Sequence, residues 1–223
     1  MSSDAKLERL HEGQHITGAG RLVDYSNLVK LPHTLFAMPF ALVGATLASY
    51  GHAVTLKQIL LILTAFASAR FAAMGFNRIA DRAIDAKNPR TKMREIPAGR
   101  LSVRQASTSV VVASVVFILC AALLNRICLY LAPLALGWVF FYSYTKRFTR
   151  WAHLVLGFAL AIAPVGAYLA IAGAWSRPAG ALLLLAGAVL CWVAGFDILY
   201  SLQDIEFDRA EGLHSVPAAL GAG

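Results

Sequence analysis

Six long apolar runs dominate this sequence and leave few folds open to it. Residues 34–50, 59–77, 105–124, 127–145, 152–175 and 179–203 carry at most one Asp, Glu, Lys or Arg each. A helix that crosses a bilayer needs about 20 mostly apolar residues, since each advances it about 1.5 Å. The runs therefore predict an all-α, polytopic transmembrane helix bundle of about six spans. Composition agrees: 58% of the 223 residues are hydrophobic and 14% are charged, against about 25% charged in soluble domains. Gly and Ala recur within the runs, as expected where membrane helices approach closely. The first thirty residues are polar and mixed, with no apolar core ahead of a small-residue cleavage site, so no signal peptide is expected.

The formal net charge of +8 invites a nucleic-acid reading, but its distribution argues against one. Lys6, Arg9, Arg21 and Lys30 precede the first run, eight basic residues lie between Arg78 and Arg104, and Lys146, Arg147, Arg150 and Arg209 follow the fourth and sixth. The other side receives Lys57, Arg126 and Arg177, while Arg70 lies inside the second run. A split of sixteen against three is a positive-inside pattern. It puts the N-terminus and the loops after the second, fourth and sixth spans in the cytoplasm. Cys120, Cys128 and Cys191 are far apart within apolar runs. They read as small buried hydrophobes, without disulfide or zinc spacing.

The acids are more telling. Four of the twelve (Asp4, Glu8, Glu12, Asp24) sit in the N-terminal segment, and the other eight fall in two short stretches at the cytoplasmic ends of spans. In the first, Asn77, Asp81 and Asp85 recur every fourth residue. If the second helix continues through them they share one face, roughly 6 Å apart along the axis. Like charges so placed repel, and three oxygen-bearing groups on one stripe suit a hard cation such as Mg²⁺. In the second stretch Asp197, Asp204 and Asp208 are spaced seven and four apart, which on a continuous helix is again one face. Asp197 interrupts an apolar run, and an intramembrane acid costs about 2.5–3.5 kcal/mol even on a lenient scale. Such an acid is a functional candidate by default, with helix capping or pairing with a nearby Arg as the alternative.

Four crossings separate the two stretches, so both face the same side. Two acidic faces there could grip one diphosphate through metal ions, with Arg90, Lys92, Arg94 and Arg100 offsetting the remaining charge. A third element, Tyr142-Ser143-Tyr144-Thr145-Lys146, places a Tyr and a Lys four apart at the cytoplasmic end of the fourth span. They could donate to a phosphate oxygen, or form an aromatic-belt residue beside a positive-inside lysine.

Asn77-xxx-Asp81-xxx-Asp85, followed by Asn88-Pro89-Arg90-Thr91, Arg94 and Pro97-Ala98-Gly99, resembles the first motif of UbiA-type membrane prenyltransferases. Asp197-xx-Tyr200-xxx-Asp204-xxx-Asp208-xxx-Gly212-xx-Ser215-x-Pro217 resembles their second, and Tyr142-xxx-Lys146 a shorter element after the fourth helix. The wording around Asp85 and Gly212 is most similar to the 4-hydroxybenzoate polyprenyltransferase-like branch. The resemblance implies Mg²⁺-dependent transfer of a polyprenyl group from polyprenyl diphosphate to an aromatic acid, 4-hydroxybenzoate or a related naphthoate, in ubiquinone or menaquinone biosynthesis. It implies a multi-pass protein of the cytoplasmic (inner) membrane, with the lipid bilayer and two substrates as partners and no nucleic acid.

By the same resemblance Asn77, Asp81, Asp85, Asp197, Asp204 and Asp208 hold the metal. Arg90, Arg94 and Lys146 bind the diphosphate, and Asp81, Asp204, Tyr142 and Lys146 are catalytic. Lys30, with His33, is a candidate for the acceptor's carboxylate, although a snorkelling lysine explains itself. His11 and His15, four apart in a polar tail, are not expected to bind metal. Family members have nine spans, so the chain reads as a form shortened at its C-terminus: a cytoplasmic segment over 1–30 and a prenyltransferase transmembrane domain over 31–223. A prenyl cyclase of the same family, an ion-coupled transporter using Asp197 and an inactive shortened form are the rival readings.

Overall fold

The structure, a computed structural model, describes residues 20–176 and 179–221, leaving aside the side chains of residues 31–33 and 36. The expected roles of His11, His15 and the His33 side chain lie outside the described residues. All regular structure within them is helical: α1 (Arg21–Leu28), α2 (Leu31–Ser49), α3 (Leu56–Lys87), α4 (Val103–Leu124), α5 (Arg126–Thr145), α6 (Ala152–Ala172) and α7 (Ala179–Ser201). A 3₁₀ turn (Leu202–Asp204), α8 (Ile205–Ala210) and α9 (Val216–Leu220) follow.

Helices α2 to α7 coincide with the six apolar runs. Five stretches are long and apolar enough to cross a membrane: α3, α4, α5, α6 and the continuous stretch Ala179–Ala210. The described apolar part of α2, Ala37–Ser49, is shorter. Local chemistry sets where several begin. Thr55 and Gln58 form a reciprocal capping box at the start of α3, as do Ser102 and Gln105 for α4. The Asn125 side chain caps α5 by accepting from the Cys128 amide at 2.9 Å. Gly173, at φ 67°, ends α6 in the left-handed conformation that glycine adopts without a Cβ penalty.

Packing is most extensive between α3 and α4, between α6 and α7, and between α2 and α6. The α2–α6 contact is made by small residues: Ala41, Ala45 and Ala48 are buried at one-turn spacing against Ala167–Ile171, with Ile62 and Leu182 closing the cluster. Gly44 of α2 lies against the Pro164 backbone of α6, and Gly157 of α6 lies against the Leu190 carbonyl of α7, so a Cβ at either would overlap main chain. A second cluster (Leu28, Val29, Leu101, Ala106) fastens α1 and the loop before α4 onto α3, fixing the loop that carries Asn88 to Arg100.

Gly157→Ala should therefore destabilise the bundle by about 1–3 kcal/mol, the usual cost of forcing atoms into a packed contact. Gly137→Ala on α5, where nothing lies within 4 Å of the added carbon, should be neutral or gain up to about 1 kcal/mol of helix propensity. Thermal unfolding of the two purified variants in the same detergent measures the difference, and equal midpoints would refute the close crossing.

Candidate active site

The predicted extension of the second span is present: α3 runs unbroken to Lys87, so Asn77, Asp81 and Asp85 lie on successive turns. Asp81 and Asp85 are 2% and 3% exposed. A carboxylate that buried must be paired to remain charged, and both are. Lys146 Nζ lies 2.7 Å from Asp81 Oδ2 and Arg147 Nη2 lies 3.3 Å from Oδ1. Asn77 Nδ2 donates to Asp81 Oδ2 at 3.1 Å. Arg94 Nη1 meets Asp85 Oδ1 at 2.7 Å, while Asp85 Oδ2 is buried with no hydrogen-bond partner among the described residues.

The second motif departs from the expected single face. Asp197 is on α7, but the chain tightens into a 3₁₀ turn over Leu202–Asp204 before α8 carries Asp208. Residues in 3₁₀ geometry advance about 120° in place of 100°, so three of them rotate the face by roughly 60°. The three acids consequently take partners on three other elements. Asp197 Oδ2 meets His153 Nδ1 at 2.7 Å, and Asp208 Oδ2 accepts from Ser215 Oγ at 2.9 Å. Asp204 is gripped by both arms of the Arg90 guanidinium, Nε to Oδ1 at 3.0 Å and Nη2 to Oδ2, with Asn88 Nδ2 donating to Oδ1 at 3.1 Å. Lys87 and Glu211 add a 2.6 Å ion pair. Two acidic motifs more than a hundred residues apart thus meet at one end of the bundle.

Below them lies a cavity of about 1260 Å³. Asn77, Arg78, Arg94, Tyr142, Asp197, Tyr200 and Lys30 line its polar end, and residues such as Phe66, Phe117, Trp138, Trp175 and Leu183 its apolar length. On α3 alone the wall runs from Asn77 to Ile62, about 22 Å at 1.5 Å per residue. Tyr142 is on this wall while Lys146, one turn on, caps α5 and points to Asp81. Lys30 holds a left-handed backbone at φ 46° and lies 5.7 Å from the Tyr200 ring, which Arg90 also approaches at 5.5 Å. Burial beside Arg78 and Arg90 pushes the Lys30 amine down to about 7. Burial also lowers Arg94, but only to about 10, which leaves it charged at neutral pH.

Four residues here were not assigned roles from sequence. Arg147 looks like an ordinary loop polar that nothing local marks, and Asn88 stands in the first motif without a role of its own. Arg70 and His153 did carry a signal, because an ionisable side chain inside an apolar run is a functional candidate. Arg70 lines the cavity two helical turns deeper than Asn77. Its Nη2 lies 3.5 Å from Met74 Sδ, and its Nε is buried without a hydrogen-bond partner among the described residues.

With the geometry in place, comparison with known proteins is decisive: residues 37–223 match the UbiA prenyltransferase family. The chain belongs to that family. It is 35% identical over 154 residues to the 4-hydroxybenzoate octaprenyltransferase of Serratia proteamaculans, covering 68% of this chain and 51% of that one. It is 30% identical over 188 residues to the enzyme of the same name from Shewanella woodyi, covering 84% and 64%. Among solved structures, the apo UbiA homolog of Aeropyrum pernix K1 superimposes with a TM-score of 0.78 at 41% identity, over 85% of this chain and 70% of that one. The Archaeoglobus fulgidus UbiA homolog bound to GPP and Mg²⁺ gives 0.67 at 25% identity, over 89% and 69%. The chain thus spans about half to two thirds of the length of these curated relatives.

No three His, Cys, Asp or Glu side chains converge into a metal-sized cluster among the described residues, because each carboxylate leans on a basic or polar partner. The donor set still fits a hard divalent cation. It consists of carboxylate and amide oxygens, and Asp85 Oδ2 is a buried oxygen without a hydrogen-bond partner among the described residues.

Because Lys30 titrates near 7, an anion bound beside it should raise its pKa again, so binding takes up a proton. Apparent affinity for that anion is expected to fall as pH rises from 7 to 9, approaching tenfold per unit. Lys30→Arg, always charged, should flatten the profile. Measuring the binding of inorganic diphosphate and of an aromatic carboxylate separately against pH tells which kind of anion Lys30 meets; two profiles unchanged by the variant would remove it from the site.

Proposed function

We propose that this chain carries the catalytic portion of a membrane prenyltransferase that moves a polyprenyl group from its diphosphate to an aromatic acid of the 4-hydroxybenzoate type, in quinone biosynthesis. One observation carries the reading: Asn88 and Arg90 of the first motif hold Asp204 of the second, above a cavity that is polar at that end and apolar along its length. The names of the bacterial relatives and the GPP- and Mg²⁺-bound homolog support the substrate classes. The sixteen-to-three bias of basic residues supports a cytoplasmic position for the polar end.

Asp81, Asp85, Asp204 and Asp208, with Asn77 and with Asp197 at the cavity edge, would hold Mg²⁺, which neutralises the diphosphate as negative charge develops on it. Arg90, Arg94 and Lys146 hold phosphate oxygens, and Tyr142, on the cavity wall, assists. Breaking the C–O bond leaves an allylic cation in the apolar cavity, shielded from water. The electron-rich ring then forms the new C–C bond and loses a proton. Metal and diphosphate bring opposite charges, so substrate exchanges the partners of ion pairs such as Arg90–Asp204 and Lys146–Asp81 without leaving a buried charge alone. Arg70, a cation set among apolar walls, is our candidate for the acceptor's carboxylate, with Lys30 nearer the mouth.

Asp81→Ala and Asp204→Ala should each abolish turnover while the protein still inserts into membranes, assayed with several prenyl diphosphates and aromatic acids with and without Mg²⁺. Normal activity in both would refute the assignment. Arg70→Gln should raise KM for the aromatic acid roughly 10- to 100-fold, the worth of a charge-assisted hydrogen bond, and leave KM for the diphosphate within about threefold. Loss of diphosphate affinity instead would move Arg70 to the other substrate.

A further inference from the structure

His153 lies in the first turn of α6 and is 4% exposed, yet nothing in the scheme above uses it. Both ring nitrogens are engaged. Nδ1 lies 2.7 Å from Asp197 Oδ2 on α7, and Nε2 lies 3.3 Å from the backbone nitrogen of Val216, the first residue of α9. A backbone amide can only donate, so Nε2 accepts and bears no proton. The ring proton is then on Nδ1, where it is donated to the carboxylate. The geometry thus sets one tautomer, and a neutral ring satisfies both partners at once.

Val216 belongs to a segment that returns across the site. His214 N donates to Lys146 O at 2.7 Å, Ser215 Oγ donates to Asp208 at 2.9 Å, and Arg209 Nε donates to Ala218 O at 2.8 Å. Two of these contacts land on residues of the proposed site, Lys146 and Asp208. His153 adds a fourth contact, and it is the one that reaches Asp197 in the cavity wall. One side chain therefore joins three separate elements: α6, which carries it, the acid on α7, and the segment at the start of α9.

We propose that His153 is a positioning residue that fixes the orientation of Asp197 and docks the segment Leu213–Leu220 as a single unit, so that neither is set without the other. It acts through its one donor and one acceptor and does not itself transfer a proton. A side chain that supplies both groups should therefore replace it. Glutamine does, donating from its amide nitrogen to Asp197 and accepting at its oxygen from Val216, whereas leucine fills similar space and supplies neither.

The test compares His153→Gln and His153→Leu in the membrane-embedded chain by two readouts. In the absence of metal and substrate, hydrogen–deuterium exchange over residues 213–220 should quicken at least about tenfold in His153→Leu and stay within about threefold of wild type in His153→Gln. The turnover part rests on the proposed prenyl transfer. There, His153→Leu should lower kcat roughly 10- to 100-fold, as loss of a group that orients a functional ligand does, with KM for both substrates little changed, and His153→Gln should restore it. Should His153→Leu fold poorly, Val216→Pro removes the other donor at a helix position that tolerates proline. It should quicken exchange over 218–220 alike, and combining it with His153→Gln should add nothing further.

Unchanged exchange in both His153→Leu and Val216→Pro overturns the docking role. Restored exchange without restored turnover in His153→Gln overturns positioning in favour of proton chemistry at the ring. A wild-type chain that shows no turnover at all counts against the proposed function, while the exchange comparison still decides the role of His153.

Discussion

Burying negative charge at the end of an apolar bundle is the constraint on which the rest of this structure depends. Asp81 and Asp85 are almost wholly enclosed, where an unpaired carboxylate would cost several kcal/mol. Every element around them supplies a compensating group: Lys146 and Arg147 after α5, Arg94 in the loop before α4, Asn77 one turn back on α3. The loop is itself anchored, with Leu101 buried among Leu28, Val29 and Ala106 and Thr91 Oγ1 donating to Asp85 O at 3.1 Å. Charge pairing and loop architecture are therefore one problem with one solution.

That solution also explains why the polar groups sit where they do relative to the cavity. The apolar walls can accept a hydrocarbon chain but no charge, so all but one of the cavity's charged groups among the described residues gather at its polar end. Arg70 is the exception, placed two turns deeper than Asn77. Under the proposed function the end groups meet the diphosphate, the walls take the tail, and Arg70 offers the aromatic acid a partner where water is scarce.

Much of this was legible in the residues. Apolar runs of spanning length marked α2 to α7, and the positive-inside count placed both acidic stretches at one end. The four-residue spacing of Asn77, Asp81 and Asp85 puts them on one face if α3 continues past its apolar run, as it does. The same reasoning failed for Asp197, Asp204 and Asp208. Their spacing also fits a helix, but Asp204 is claimed by Arg90 and Asn88, and the backbone turns through a 3₁₀ segment there. Periodicity reports what a continuous helix would do; it is silent on whether a distant arginine will interrupt it.

Partnership across the chain is what the tertiary structure alone decided. Spanning segments, their common polarity and the oxygen-rich chemistry of the two motifs are local properties, written in hydrophobicity and spacing. That Arg147 reaches Asp81, that His153 lies between Asp197 and Val216, and that Gly157 lets α6 touch the α7 backbone depend on which helices become neighbours. Those neighbours are chosen by packing among residues far apart in sequence, where a single atom of added volume or an unmatched charge settles the outcome.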